Sequence, residues 1–289
     1  MLAAARLCSD ARSRLAGAPL DHRDHSERNP LTAPAWLQEL AGAWVFYSVL
    51  PAWPWPQPRF ARIARFAPWI GLVIGGLQAG LWLLTAGWLP TLAQIALVIA
   101  LGLWLSGGLH ADGVIDTADG LAAGPRALEA MDDSRAGAAG VQALALLLLL
   151  RVAGLAALAA SVGPGVIAAG LVSVAIWGRI SPLLAMARFP YLREQGTAGF
   201  HRQGLLGLRR ELRPGAVLLA LLVLLQGGGW AVAVWLLPAG PAAAVPVWLG
   251  RRLGGHSGDS YGACVEWTEA LGLLLCGVLL SAAAALAAA

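Results

Sequence analysis

The chain has 289 residues, of which 58% are hydrophobic and 12% charged. That charge content is about half that of an ordinary soluble domain. It leaves too little polar surface to cover a core of this size, and it excludes bulk disorder, which needs high charge and low hydrophobicity. The 36 glycines follow no period and the cysteines number three, so collagen-like and disulfide-rich classes are excluded too. What remains is an all-α, polytopic helical bundle embedded in a membrane. All 20 basic residues are Arg and the formal net charge is +4. This excess fits loops facing anionic lipid and gives no reason to invoke nucleic acid.

Residues 1–34 mix Arg, Asp, His, Ser and Pro without periodicity and read as a flexible cytoplasmic tail. Residues 35–289 read as one transmembrane domain. Segment 36–50 is too short to cross, and Pro51, Pro54, Pro56 and Pro58 forbid its continuation. It is expected to be interfacial or re-entrant, with Trp36, Trp44, Trp53 and Trp55 at headgroup level. Each crossing needs about 20 apolar residues. Spans are therefore expected over 69–89, 91–108, 141–161, 165–186, 215–237 and 268–289, with 239–250 as a seventh element or a broken helix. Cys8, Cys264 and Cys276 have no metal-ligand spacing and are expected to be free thiols.

The connecting loops alternate between short uncharged turns and long polar segments at 51–68, 109–140, 187–214 and 251–267. Nearly all the arginines outside the tail fall in the polar set, which the positive-inside rule places in the cytoplasm. Loop 187–214, with Arg188, Arg193, His201, Arg202, Arg209, Arg210 and Arg213, is either a topogenic signal or a hold on an anionic substrate.

Chemistry concentrates in 106–140, which carries six of the sixteen acidic residues. On a helix, Asp112, Asp116 and Asp119 stand at i, i+4 and i+7, within about 60° of one another. No basic residue lies three or four positions away to relieve their repulsion. A divalent cation would, and hard oxygen ligands with room for water and phosphate suit Mg²⁺. The plainer alternative is a solvated acidic loop. Asp132, Asp133 and Arg135 make a second polar knot, in which Arg135 grips phosphate or simply neutralises its neighbour. In a third, Gly254, Gly255 and Gly258 frame His256, Ser257 and Asp259. That turn is able to cradle phosphate but lacks a Walker lysine. Arg151 and Arg179 interrupt apolar runs; charge at that depth costs several kcal/mol unless it meets a partner. Asp or phosphate is the expected counter-ion, and snorkelling the alternative.

The run GGLHADGVIDTADGL, followed by LEAMDDSRAGAAGV, resembles the signature of the adenosylcobinamide-GDP ribazoletransferase family, also called cobalamin synthases. FYSVLPAWP, RFAPWIGLVIG and GGHSGDSYGACVE extend the resemblance over most of the chain from about residue 36. Ala111 and Ile115 replace the Leu and Ala of the pattern, and Asp132 stands where Lys is usual. The resemblance implies a Mg²⁺-dependent transferase of the cytoplasmic membrane, active on the cytoplasmic side. It would join adenosylcobinamide-GDP to α-ribazole or its 5′-phosphate and release GMP. In that reading Asp112, Asp116 and Asp119 hold metal, and Asp116, Asp119 or Asp133 serves as base. His110 orients a carboxylate or donates to phosphate. Ser134, Arg135, Arg151, Arg179, Gly255 and Asp259 meet substrate phosphates. The oligomeric state is open, a homo-oligomer included. A CDP-alcohol phosphotransferase and a transporter are the competing readings. The first requires wider carboxylate spacing, and the second carboxylates at the membrane midplane.

Overall fold

The computed structural model describes residues 33–193, 206–226 and 230–288, and these are helical, without a strand. The tail expected over 1–34 lies outside the described residues except for its last two, as do His201, Arg202 and Cys8. Helix α1 spans Ala35–Tyr47, thirteen residues, or about 20 Å at 1.5 Å per residue, which is short of the ~30 Å hydrocarbon layer. It is fastened to the next element rather than crossing. Glu39 pairs with Arg65 at 2.5 Å, and the Trp44 indole donates to the Pro51 carbonyl at 2.9 Å. Arg65 sits in a 3₁₀ turn, Ile63–Phe66, that leads into α2, Ala67–Thr85.

Helix α3, Thr91–Leu105, carries no charged residue. Gly107 and Gly108 then take left-handed φ of 64° and 72°, where glycine lacks the Cβ clash of other residues. The chain turns by 89° into α4, Leu109–Ala123, and α5, Ala127–Asp132. With its three aspartates, α4 lies beyond this bend and is not one of the helices long and apolar enough to cross alone. The remaining helices are α6, Ala138–Ser161; α7, Pro164–Arg188; α8, Leu208–Gln226; α9, Trp230–Leu236; α10, Ala239–Leu253; and α11, Gly258–Ala288.

Five helical segments are long and apolar enough to cross a membrane: Ile63–Thr85, Ala138–Ser161, Pro164–Arg188, Val232–Leu253 and Gly258–Ala287. A sixth exists if α3 is joined to α4 and α5 across the bend. Segment 239–250 is the broken helix of its two readings: it lies in α10, which together with α9 makes one span. The protein is thus a multi-pass membrane bundle, with two differences from expectation. The stretch 215–237 is divided between α8 and α9. The last helix starts ten residues before the expected 268, running straight through Glu266 and Glu269.

Helix α7 is central: 78% of its span is buried, against 28% for α6. It packs against α2 on one side and α11 on the other. Where α6 crosses α11, Gly154 and Gly277 face each other. A Cβ on Gly154 would stand 2.5 Å from the Leu273 carbonyl carbon, and one on Gly277 2.5 Å from the Gly154 oxygen. Backbone cannot yield as a side chain can, so this contact requires glycine on both helices. Gly154→Val should lower stability by about 1–3 kcal/mol, the usual range for overpacking. Gly163→Ala, whose Cβ meets nothing within 4 Å, should leave the melting temperature in detergent unchanged.

Candidate active site

Helix α4 approaches the start of α11 so closely that a Cβ on Gly113 would stand 2.4 Å from the Asp259 carbonyl oxygen. From the other side, Gly262 of α11 lies against the His110 backbone; a Cβ there would be 3.2 Å from the His110 Cα. This interlock sets Asp259, in the first turn of α11, across from Asp112 and Asp116. Burial raises the pKa of Asp112, and the Asp259 charge adds to the rise. Asp116 is pushed up to about 7, first by burial and then by Asp112, Asp259 and Asp119, with Arg193 pulling the other way. Like charges held together make a site that favours either a proton or a cation.

Asp119 faces elsewhere. Its Oδ2 accepts the Gly137 N–H at 2.7 Å and its Oδ1 the Gly140 N–H at 2.8 Å. It therefore satisfies amides at the start of α6 that have no partner within that helix. Among the described residues no group of three or more His, Cys, Asp or Glu side chains is gathered as for a metal ion. The expected trio of Asp112, Asp116 and Asp119 is divided between two neighbours. All three lie on α4, but Asp119 binds α6 while Asp112 and Asp116 meet Asp259.

Arg193 ties this region together, with Nη1 2.6 Å from Asp132 and Nη2 2.9 Å from Asp259. The segment before it is held by two backbone bonds: His256 N–H to the Pro190 carbonyl at 2.9 Å and Leu192 N–H to the His256 carbonyl at 2.8 Å. Gly255 permits that approach, since a Cβ would lie 2.7 Å from the Pro190 oxygen. Close backbone packing thus accounts for this glycine without a phosphate. His256 is fully enclosed, in contact with Ser260 Oγ at 2.9 Å and the Pro246 carbonyl at 3.0 Å. Burial lowers its pKa to about 4, partly offset by the Pro246 carbonyl, so it is a neutral pin at ordinary pH.

Asp133 does not suit the base role expected of it. Arg135 donates to it from its backbone N–H at 3.0 Å and from Nη2 at 2.7 Å, lowering its pKa to about 2. Arg135 is 87% exposed and spends its charge on this neighbour. Ser134, between them, is exposed.

Arg151 and Arg179 are buried in the bundle, and their carboxylate partners are glutamates rather than aspartates. Arg151 meets Glu266 at 2.9 Å and Glu269 at 2.7 Å, and Arg179 pairs with Glu269. Nδ1 of the buried His110 lies 4.0 Å from Glu266. A chain of charge thus runs from α7 through α11 and α6 to the floor of the carboxylate site. Glu266 and Glu269 were not among the sequence candidates. Their spacing, i and i+3 on a helix face, together with two arginines in apolar runs, was the available signal.

A sequence profile described as cobalamin-5-phosphate synthase matches residues 39–277. The chain belongs to that family. It is 57% identical over 266 residues to the adenosylcobinamide-GDP ribazoletransferase of Prochlorococcus marinus strain MIT 9303, covering 87% of this chain and all of the relative. It is 43% identical over 245 residues to the enzyme of that name from Thermosynechococcus vestitus, covering 81% of this chain and 93% of the relative. No solved structure matches it. In this member of the cobalamin-5-phosphate synthase family, the matched region contains every interaction described above from Glu39 to Glu269.

Two outcomes follow. Glu269→Ala should cost about 3–5 kcal/mol, because it strands the buried Arg179 guanidinium and leaves Arg151 with Glu266 alone, whereas Asp133→Asn should not change the melting temperature. Secondly, Asp116 holds its proton more tightly folded than unfolded. Its contribution is therefore fully present at low pH and is lost as pH rises from the ordinary carboxylate range through about 7. Without divalent cations, the melting temperature should fall between pH 5 and pH 8 more steeply in the native protein than in Asp116→Asn.

Proposed function

We propose that this protein transfers the adenosylcobinamide phosphate group of adenosylcobinamide-GDP to α-ribazole or its 5′-phosphate, releasing GMP, a late step of cobalamin synthesis. The family and the names of its relatives support the reaction. The observation that carries the site is the convergence of Asp112 and Asp116 with Asp259 across the Gly113 contact. The enzyme sits in the cytoplasmic membrane with this end of the bundle in the cytoplasm, a reading supported by the arginines Arg59, Arg62, Arg65, Arg188, Arg251 and Arg252 in the same set of loops.

The residues fit Mg²⁺. It is usually bound by one or two carboxylates together with substrate phosphate oxygens, and the mutual repulsion of Asp112, Asp116 and Asp259, which Arg193 offsets only in part, supports a cation there. Asp112 and Asp259 would hold the ion. When bound, it would neutralise charge on the diphosphate and on the departing GMP. The protein's own residues do the rest. A ribazole hydroxyl oxygen attacks the phosphorus bonded to the cobinamide side; a new P–O bond forms and the bridging P–O bond to GMP breaks. Asp116, whose pKa burial raises above the ordinary carboxylate value, accepts the hydroxyl proton, since a base titrating nearer the working pH is the more effective one. Arg193 is positioned by Asp132 and Asp259 to meet phosphate oxygens. Arg151 and Arg179 stabilise the carboxylate platform from below, through Glu266, Glu269 and His110.

Purified protein in detergent, supplied with adenosylcobinamide-GDP, α-ribazole and Mg²⁺, should release GMP. Chelation should abolish release and added Mg²⁺ restore it. Asp116→Asn should lower kcat by about 10²–10⁴-fold, the range for loss of a general base. Undiminished GMP release in chelator would remove the metal from the account, and near-native kcat in Asp116→Asn would remove the base.

A further inference from the structure

Beside the carboxylates lies a cavity of about 130 Å³ that no step above uses. Asp112, Asp259 and His110 form one wall of it, where α4 and α11 meet. Its other walls are apolar: Tyr47 from α1, Leu183 and Met186 from α7, and Val265 from α11. Arg179 also lines it. That residue is 3% exposed, and although its Nη1 is paired, its Nε has no hydrogen-bond partner among the described residues. A buried donor left unsatisfied is costly and asks for an acceptor.

These features select a ligand. An apolar cavity of about 150 Å³ accommodates benzene, so one of about 130 Å³ takes one ring of a flat system, with the remainder outside it, and not a corrinoid macrocycle. Apolar walls suit a ring with few polar atoms. Guanine, with donors along its edge, would occupy Asp112 and Asp259, the carboxylates proposed to hold the ion. A hydrocarbon chain would leave the Arg179 donor unmet. A fused aromatic heterocycle bearing one acceptor nitrogen satisfies both constraints.

We infer that this cavity seats the planar base of the acceptor nucleoside, with Arg179 Nε–H donating to the free ring nitrogen and the ribose directed at Asp112 and Asp259. The inference rests on the transfer reaction proposed above. In that reaction the acceptor, a benzimidazole riboside, is the substrate with such a base. Seating the base in the bundle would hold the attacking hydroxyl beside the carboxylates and supply the positioning that a reaction between two bound substrates needs. It also gives α1 a purpose, since the Glu39–Arg65 pair holds the helix whose last residue, Tyr47, closes the cavity.

Two measurements test this. In Leu183→Trp, which fills the cavity, the KM for α-ribazole should rise at least tenfold while the KM for adenosylcobinamide-GDP stays within twofold. With unmodified protein, where folding is not in question, an indole riboside lacking the acceptor nitrogen should show at least a tenfold higher KM than α-ribazole. A native protein that forms no product from the two natural substrates would defeat the proposed reaction itself. Normal turnover with a raised donor KM in Leu183→Trp, or equal KM values for indole and benzimidazole ribosides, would overturn the cavity assignment and leave the reaction standing.

Discussion

The structure depends on four charges that cancel inside a membrane bundle. Helix α11 runs unbroken for 31 residues and carries Glu266 and Glu269 in a stretch otherwise fit to span. An isolated charge at the centre of a spanning helix costs about 2.5–3.5 kcal/mol on insertion scales. Here the cost is offset because Arg151 of α6 and Arg179 of α7 meet those glutamates at hydrogen-bonding distance. The pairing does more than neutralise. It fixes the rotation of α11 about its axis relative to α6 and α7, because a helix turned by one residue would carry both glutamates away from the two guanidinium groups.

That rotation determines the site. Asp259 lies seven residues before Glu266, two turns along the same helix, and so shares its face. With Glu266 held against Arg151, Asp259 is delivered to α4. There Gly113 and Gly262 let the two backbones approach closely enough for carboxylates from both helices to confront one another. Asp119 contributes from the far end of α4 by capping α6, the helix that carries Arg151. The acidic residues of one motif thus divide between chemistry and architecture. Helix α6 is held at its start by Asp119 and at its middle by the glutamates.

Much of this was legible in the sequence. Low charge and long apolar runs determined the class, and the position of the arginines marked which loops belong together. The i, i+4, i+7 spacing placed Asp112, Asp116 and Asp119 on one face of α4. What spacing cannot convey is which neighbour that face meets. Asp119 looks like a metal ligand until α6 is packed against it. Arg151 and Arg179 look like phosphate clamps until α11 is extended far enough to bring glutamates to them. The start of α11 was misplaced because Glu266 resembles a loop residue when its partners, more than eighty positions away, are unseen. Gly255 likewise reads as part of a phosphate cradle, and only the Pro190–Leu192 segment lying across it reveals a packing role. Hydropathy is local, whereas these assignments depend on long-range contacts.

The central claim is that the cation site is built from two helices, α4 and α11, rather than from the α4 motif alone. Electron paramagnetic resonance of Mn²⁺ titrated into the purified protein measures this directly. The account predicts that Asp112→Asn and Asp259→Asn each weaken binding at least tenfold in folded protein. Native-like Mn²⁺ affinity in Asp259→Asn, with binding lost on Asp119→Asn instead, would contradict it.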